Sequence, residues 1–260
     1  MAAASALAER VAPARPEPLR RLAANARRSQ WSADAAIDWE LGPRLPIWMS
    51  QAQARTAISQ LYHGEIATSR MCEALMAAVE PGPARDCLAL QRDDERRHAA
   101  VYARYLEALG GIAPIDPGLA RALEAARNGP FGALGAVLAF NLVLESEVLR
   151  VHGTLARLLP CPLLAQMNRL IARDEARHVA FGRLYLAEAV ATLPTETRGR
   201  LYRWIHETWQ RSAESVLGRT GSKSAARAAL RRWLSGGWRH HKVALRKLGL
   251  VSEAMDPRGR

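Results

Sequence analysis

The sequence predicts an all-α fold: a bundle of four long helices with one long crossover, carrying helical extensions at its N- and C-terminal ends. Three observations predict it. In a chain of 260 residues, 49% are apolar, Ala, Leu and Arg are abundant, and strand-forming runs of Val, Ile and Thr are scarce. Proline and glycine divide the chain into four long segments with a wider gap in the middle. One charged phrase is written twice, as DDERRHAAVYARYL at 93–106 and DEARHVAFGRLYL at 174–186.

Each element follows from this punctuation. Residues 1–46 form an N-terminal extension, partly disordered, in which SQWSADAAIDWELGPRLP is an irregular entry to the bundle. The first bundle helix runs from about Ile47 to Val79 and stops at EPGP; the second runs from about Ala84 to Leu109 and stops at GGIAPIDP. A crossover at 118–130 holds a short helix. The third long helix covers about Phe131 to Leu159, up to PCP, and the fourth about Leu163 to Leu193. Residues 194–260 supply a further helix, at 195–218 with Thr195 or Thr197 as its cap, and then a basic tail packed on the bundle. The bundle itself therefore occupies 47–193.

The two copies keep one constant offset, which pairs Glu65 with Glu145, Asp94 with Asp174, Glu95 with Glu175, His98 with His178 and Tyr105 with Tyr185. A duplicated helical hairpin places like residues around one pseudo-two-fold axis. Glu95 and His98, and likewise Glu175 and His178, are three residues apart and share a helix face. Glu65 precedes Glu95 by the same interval as Glu145 precedes Glu175, so one helix up and the next one down brings each Glu level with its Glu-x-x-His. A charge on a core-facing stripe costs several kcal/mol unless it is compensated. Four carboxylates and two imidazoles converging from four helices are the donor set of a dinuclear metal site, and two divalent cations neutralise the four carboxylates. Carboxylate and imidazole in an open site suit iron or manganese better than zinc. An isolated Glu-x-x-His is ordinary solvated surface; two copies in register are not.

Two copies of the pattern Glu-x28-Asp-Glu-x-Arg-His, Glu65 to His98 and Glu145 to His178, resemble the di-iron carboxylate oxygenases of the ferritin-like superfamily. The hydroxylase subunits of bacterial multicomponent monooxygenases and the p-aminobenzoate N-oxygenases share this pattern, over about residues 47–193. The resemblance implies a ferritin-like bundle with two iron ions (Fe2+/Fe3+, or manganese) and dioxygen as cosubstrate. It implies that Glu65 and His98 bind one ion, that Glu145 and His178 bind the other, and that Glu95 and Glu175 bridge. Asp94 then accepts the ring N–H of His178 and Asp174 that of His98, with Arg97 and Arg177 balancing the aspartates. Two positions depart from the relatives. Ile171 stands where the N-oxygenases carry an extra histidine, and Leu149 where the methane-type hydroxylases carry a threonine. Further candidates near the site are His152, two turns beyond Glu145, and Tyr62 and Tyr102, one turn from Glu65 and His98; core packing is the alternative role for all three.

These features point to a non-haem di-iron oxygenase or oxidase that uses dioxygen and external electrons to hydroxylate, desaturate or N-oxidise a small organic substrate. Its electron donor would be a ferredoxin or a reductase. The net charge of +12, almost wholly from Arg, gives an acidic carrier a face to dock on. The alternatives are an iron-oxidising, iron-handling or ligand-binding ferritin-like protein, and a tRNA-hydroxylase-like enzyme whose tail, with Trp233 and Trp238 among Arg and Lys, touches nucleic acid. No uninterrupted run of roughly 18–20 apolar residues marks a membrane span. Cys72, Cys87 and Cys161, odd in number and widely spaced, read as thiols in a reducing cytoplasm. A homodimer is compatible with the sequence.

Overall fold

The computed structural model describes residues 16–218 and 225–251, and every described element is helical. The remaining residues, including the lead-in at 1–15 and parts of the basic tail, lie outside the described residues. The helices are α1 (Pro16–Arg28), α2 (Ala33–Ala36), α3 (Gln51–Ala78), α4 (Pro83–Glu107), α5 (Pro117–Arg127), α6 (Gly132–Val137), α7 (Glu145–Leu158), α8 (Pro162–Ala191), α9 (Thr195–Gly218) and α10 (Ala225–Lys247). A π-helical segment, Leu138–Leu144, joins α6 to α7 without a break. The architecture is a ferritin-like four-helix bundle whose long helices are α3, α4, the compound helix Gly132–Leu158, and α8, with α5 in the crossover.

Local chemistry sets the ends of these helices. Ser50 and Gln53 form a capping box at the start of α3, each side chain meeting the other's backbone N–H. Gly82, at φ 152°, and Pro83 at the first helical position then restart the chain as α4. Gly111, at φ 92°, closes α4 by donating its N–H to the Leu106 carbonyl at 2.8 Å. Neither Thr195 nor Thr197 caps α9. The helix begins at Thr195 itself, and Arg198 N–H reaches the Pro194 carbonyl at 3.0 Å.

The chain forms two compact units. One comprises the described residues up to Asp116 and Glu145–Phe181. Its apolar core includes Ile58, Val101, Tyr102, Leu106, Leu163, Met167 and Ile171. Within it α1 lies along α4, where the Cys87 thiol meets the Leu19 carbonyl at 3.5 Å and Arg27 pairs with Asp86 at 3.2 Å. Cys72, Cys87 and Cys161 are all buried free thiols.

The other unit comprises Pro117–Leu144 and the described residues from Gly182 onward. Here α9 packs on α10 through aromatic rings, with His206 stacked on Trp238 at 4.3 Å between centroids and Trp209 on Trp238 at 5.4 Å. Leu234, His241 and Leu245 form the buried stripe of α10, while Arg231, Arg232, Arg239 and Arg246 are exposed. The compound helix Gly132–Leu158 is long and apolar enough, by length and composition, to cross a membrane, although Asn141 and Glu145 interrupt its apolar run. Two-thirds of its most apolar window is buried inside the protein (67%), as for the core helix of a bundle.

Close helix approach in this second unit depends on Gly182. A Cβ there would stand 2.8 Å from Asn141 Cβ and 3.3 Å from the Asn141 carbonyl carbon, too near the backbone for a side-chain rotation to relieve. Gly182→Ala should therefore cost about 1–3 kcal/mol despite the better helix propensity of alanine, and lower the thermal unfolding midpoint by several degrees. An unchanged midpoint in a calorimetric scan would show that α8 and the π segment can separate freely.

Candidate metal centre

Glu65 comes from α3, Glu95 and His98 from α4, Glu145 from the first residue of α7, and Glu175 and His178 from α8. All six lie in the first unit, and all are 3% exposed or less. They gather into two groups, Glu65–Glu95–His98–Glu175 and Glu95–Glu145–Glu175–His178. In each group one donor atom per residue lies within 4.8 Å of the others, and Glu95 and Glu175 belong to both. Metal–oxygen and metal–nitrogen bonds of roughly 2.0–2.2 Å put two donors on one ion at most ~4.4 Å apart, so small side-chain rotations close each group. This is a donor set for two ions that share two carboxylates.

Hydrogen bonding identifies what the cluster lacks. His178 Nδ1 lies 2.8 Å from Glu175 Oε2 and 3.0 Å from Glu95 Oε1. His98 Nδ1 stands 3.2–3.5 Å from oxygens of Glu175, Glu65 and Glu95 without a geometry that makes a hydrogen bond. Glu65 Oε1, Glu95 Oε2, Glu175 Oε1 and His98 Nδ1 are buried without a hydrogen-bond partner. An orphaned buried polar atom costs ~1–3 kcal/mol, and four converging in one place mark a position that fits a cation.

A ring of ionic partners surrounds the six. His98 Nε2 meets Asp174 Oδ2 at 3.2 Å, and His178 Nε2 meets Asp94 Oδ2 at 3.3 Å, each histidine using the aspartate of the other repeat. Arg97 pairs with Asp94 and with Asp174 (2.9 Å), and Arg177 with Asp94 (3.1 Å) and Asp174 (2.7 Å), so each guanidinium bridges both aspartates. Burial opposes ionisation of the aspartates, but the opposing histidines and these arginines hold both below the ordinary carboxylate range.

Several contacts escape sequence reasoning. Trp31 Nε1 donates to Asp174 Oδ2 at 2.7 Å, and the Arg97 guanidinium lies 4.8 Å from the centre of the Trp31 ring. Gln30 donates to Asp94 Oδ1 at 3.1 Å and accepts from Arg97 at 2.7 Å. Gln91 Nε2 donates to both Glu95 Oε1 and Glu145 Oε1. Gln91 stands one turn before Glu95 and has a periodicity signal; Gln30 and Trp31 sit where the chain leaves α1, where no periodicity points inward. The π segment ending one residue before Glu145 is a further feature without a sequence signal. A cavity with room for about one water (about 20 Å³), lined among others by Leu22, Cys87, Gln91, Asp94 and Phe181, adjoins the Asp94–His178 pair.

The remaining candidates lie outside the two donor groups. The Tyr102 hydroxyl is 2.8 Å from His152 Nε2 and 3.4 Å from Asn168 Oδ1, forming a separate buried polar cluster. Burial lowers the His152 pKa to about 4, which keeps its ring neutral. Tyr62 packs edge-on against the His63 ring at 5.3 Å.

Protonation balances the cluster when no metal is bound. Burial, reinforced by neighbouring carboxylates, holds Glu65 and Glu145 well above the ordinary carboxylate range. Burial acts the same way on Glu95 and Glu175, but the cationic histidines outweigh it and hold both below that range. Burial disfavours charged imidazoles, yet Asp174 and Glu175 raise His98, and Glu95 and Glu175 raise His178, well above the ordinary value. All four shifts favour the protonated form, so protons compete with divalent cations for Glu65, Glu145, His98 and His178. Loading with Mn(II) should release those protons into a weakly buffered, dye-monitored solution, and affinity should rise with pH because protons compete for the same atoms. A pH-independent affinity would contradict this balance. Asp174→Ala removes the acceptor that orients His98 and should weaken binding about 10- to 100-fold, read by competitive chelator titration.

No protein-family model matches the chain, and no curated protein matches it. Solved structures do match. A point mutant described as an R2-like ligand-binding oxidase with anaerobically reconstituted Mn/Fe cofactor aligns with a TM-score of 0.68 at 20% identity, over 87% of this chain and 93% of its own. An R2-like ligand-binding oxidase without metal cofactor aligns with a TM-score of 0.66 at 19% identity, covering 87% and 96%. Another, with aerobically reconstituted Mn/Fe cofactor, aligns at 0.66 and 18%, covering 87% and 92%. At these identities the likeness concerns the fold, and it extends over most of each chain.

Proposed function

We propose that this chain is a dinuclear metalloprotein of oxidase type, holding two iron ions or one manganese and one iron, and akin to the R2-like ligand-binding oxidases. The observation that carries the reading is the pair of donor groups sharing Glu95 and Glu175, with four buried donor atoms left without hydrogen-bond partners. Carboxylate-rich sites with one imidazole per ion suit iron and manganese. Bound there, such ions supply the electrons that reduce dioxygen.

The chain's own residues do the rest. Glu65 and His98 hold one position, Glu145 and His178 the other, and Glu95 and Glu175 span both. Asp174 and Asp94 orient the two imidazoles through their Nε2 atoms, and Arg97 and Arg177 pair with those aspartates, so that each Nδ1 faces the carboxylates. Burial of all six donors, each 3% exposed or less, keeps bulk water away from the carboxylates.

Oxygenation of a diffusible substrate with electrons from a ferredoxin or reductase gives way to the ligand-binding oxidase reading. The solved structures sharing the fold bear that description. Ile171 and Leu149, moreover, replace the polar residues that the N-oxygenases and methane-type hydroxylases carry at these positions.

Anaerobic loading followed by elemental analysis tests the proposal. Two ions per chain should be retained after gel filtration, and the ferrous-loaded protein should consume dioxygen in an oxygen electrode. Glu95→Ala, which removes a ligand from both groups, should lose two-ion occupancy and most of the oxygen uptake. Mass spectrometry of a solvent extract should find a small molecule that copurifies with the protein. Two ions retained in Glu95→Ala, or none in the native chain, would refute the assignment.

A further inference from the structure

We infer that the outward face of α10 is a docking surface for an anionic lipid bilayer, which it meets from one side without spanning it. The inference concerns the second unit and is independent of the metal reading above. Helix α10 (Ala225–Lys247) contains seven Arg or Lys residues and no Asp or Glu. No carboxylate within the helix therefore stands one turn away to neutralise any of them. Arg232, Arg239 and Arg246 are exposed and recur at the same spacing, which lines them along one flank about 10.5 Å apart. Arg231 and Lys247 are exposed as well. Val243 lies one turn from both Arg239 and Arg246, opposite the buried stripe of Leu234, His241 and Leu245. It is 51% exposed, the large apolar side chain that this unit leaves in solvent among the described residues.

The chemistry of this face decides between its possible partners. The apolar stripe of α10 is taken up by packing inside the unit, so the helix cannot sink that side into lipid; it binds through its cations, with shallow entry of Val243. Nucleic acid on an exposed face calls for aromatic rings on which bases stack. Trp238 is turned inward instead, stacked on His206 at 4.3 Å and lying 5.4 Å from Trp209, and Trp233 is half-buried. A protein partner calls for aromatic or apolar anchors seated in fitted pockets. Here a convex helix carries long cations around one small apolar residue. A bilayer needs only a plane of negative charge with hydrocarbon beneath it, and an arginine row beside an exposed valine complements both layers. Each such cation close to an anionic surface raises affinity about fivefold.

Co-sedimentation of the full chain with phosphatidylcholine vesicles, with and without phosphatidylglycerol, tests the inference. The native chain should pellet with the vesicles that contain phosphatidylglycerol, stay in solution with phosphatidylcholine alone, and be released as salt is raised. The double change Arg232→Gln and Arg239→Gln should weaken binding about 25-fold and leave the thermal unfolding midpoint unchanged, because both side chains are exposed. Arg20→Gln with Arg21→Gln removes the same charge from the exposed face of α1 and should leave vesicle binding nearly as it was. No binding to phosphatidylglycerol, an equal loss in the α1 variant, or full binding by the α10 variant would overturn the inference. A duplex RNA or a polyglutamate peptide that binds the native chain more tightly than the vesicles, and loses affinity in the α10 variant, would overturn it too and assign the face to nucleic acid or to an acidic protein.

Discussion

The structure depends on compensating six carboxylates buried in one helical unit. Glu65, Glu95, Glu145, Glu175, Asp94 and Asp174 are all 3% exposed or less. Unpaired, charges so placed would each cost several kcal/mol, a large share of the roughly 5–15 kcal/mol that holds a typical domain folded. Compensation comes in two layers. In the outer layer Asp94 and Asp174 pair across the repeat with the opposing histidines and with Arg97 and Arg177, which together hold both aspartates below the ordinary carboxylate range. In the inner layer burial and neighbouring carboxylates push Glu65 and Glu145 towards their protonated forms, and four donor atoms remain without a hydrogen bond. The outer layer suits a permanent scaffold, and the inner layer suits a site that exchanges protons for cations.

Crossing between repeats is what makes the outer layer rigid. Each histidine leans on the aspartate of the other hairpin, and each arginine on both aspartates, so neither hairpin can shift without breaking bonds in the other. The entry segment after α1 adds Gln30 and Trp31 to the same ring. A stretch that reads as irregular thereby joins the machinery that orients the ligands.

Duplication makes the site, and departures from it give each half its own character. Gln91 in one copy answers to Ile171 in the other. Tyr102, which meets His152 in a buried polar pair, corresponds to Gly182, where a side chain would collide with Asn141. The first contrast places a hydrogen-bond donor on one side of the cluster only. The second exchanges a phenol for close helix contact.

How much of this was legible in the sequence follows from periodicity. Helix order, the single crossover and the six converging donors could be read from three regular spacings: Glu95 to His98, Glu65 to Glu95, and one copy of the motif to the next. Such spacings translate directly into shared faces and facing levels. Helix ends were read to within a few residues where Gly82, Pro83 and Gly111 mark them through local backbone chemistry, whereas the first bundle helix, placed from about Ile47, starts after the Ser50 cap. Gln30 and Trp31 could not be read as parts of the site, and Gln91, though on the Glu95 face, could not be read as a donor to Glu145, because a polar side chain declares its partner only once another element stands beside it. The π segment before Glu145 was hidden for a related reason: a change in hydrogen-bond register leaves the apolar pattern of a buried helix unaltered. The sequence alone therefore determined which residues carry the charge and on which helices. Only tertiary packing decided which oxygen of each shared carboxylate is engaged and which stays free, because that depends on contacts between helices that no spacing along one chain encodes.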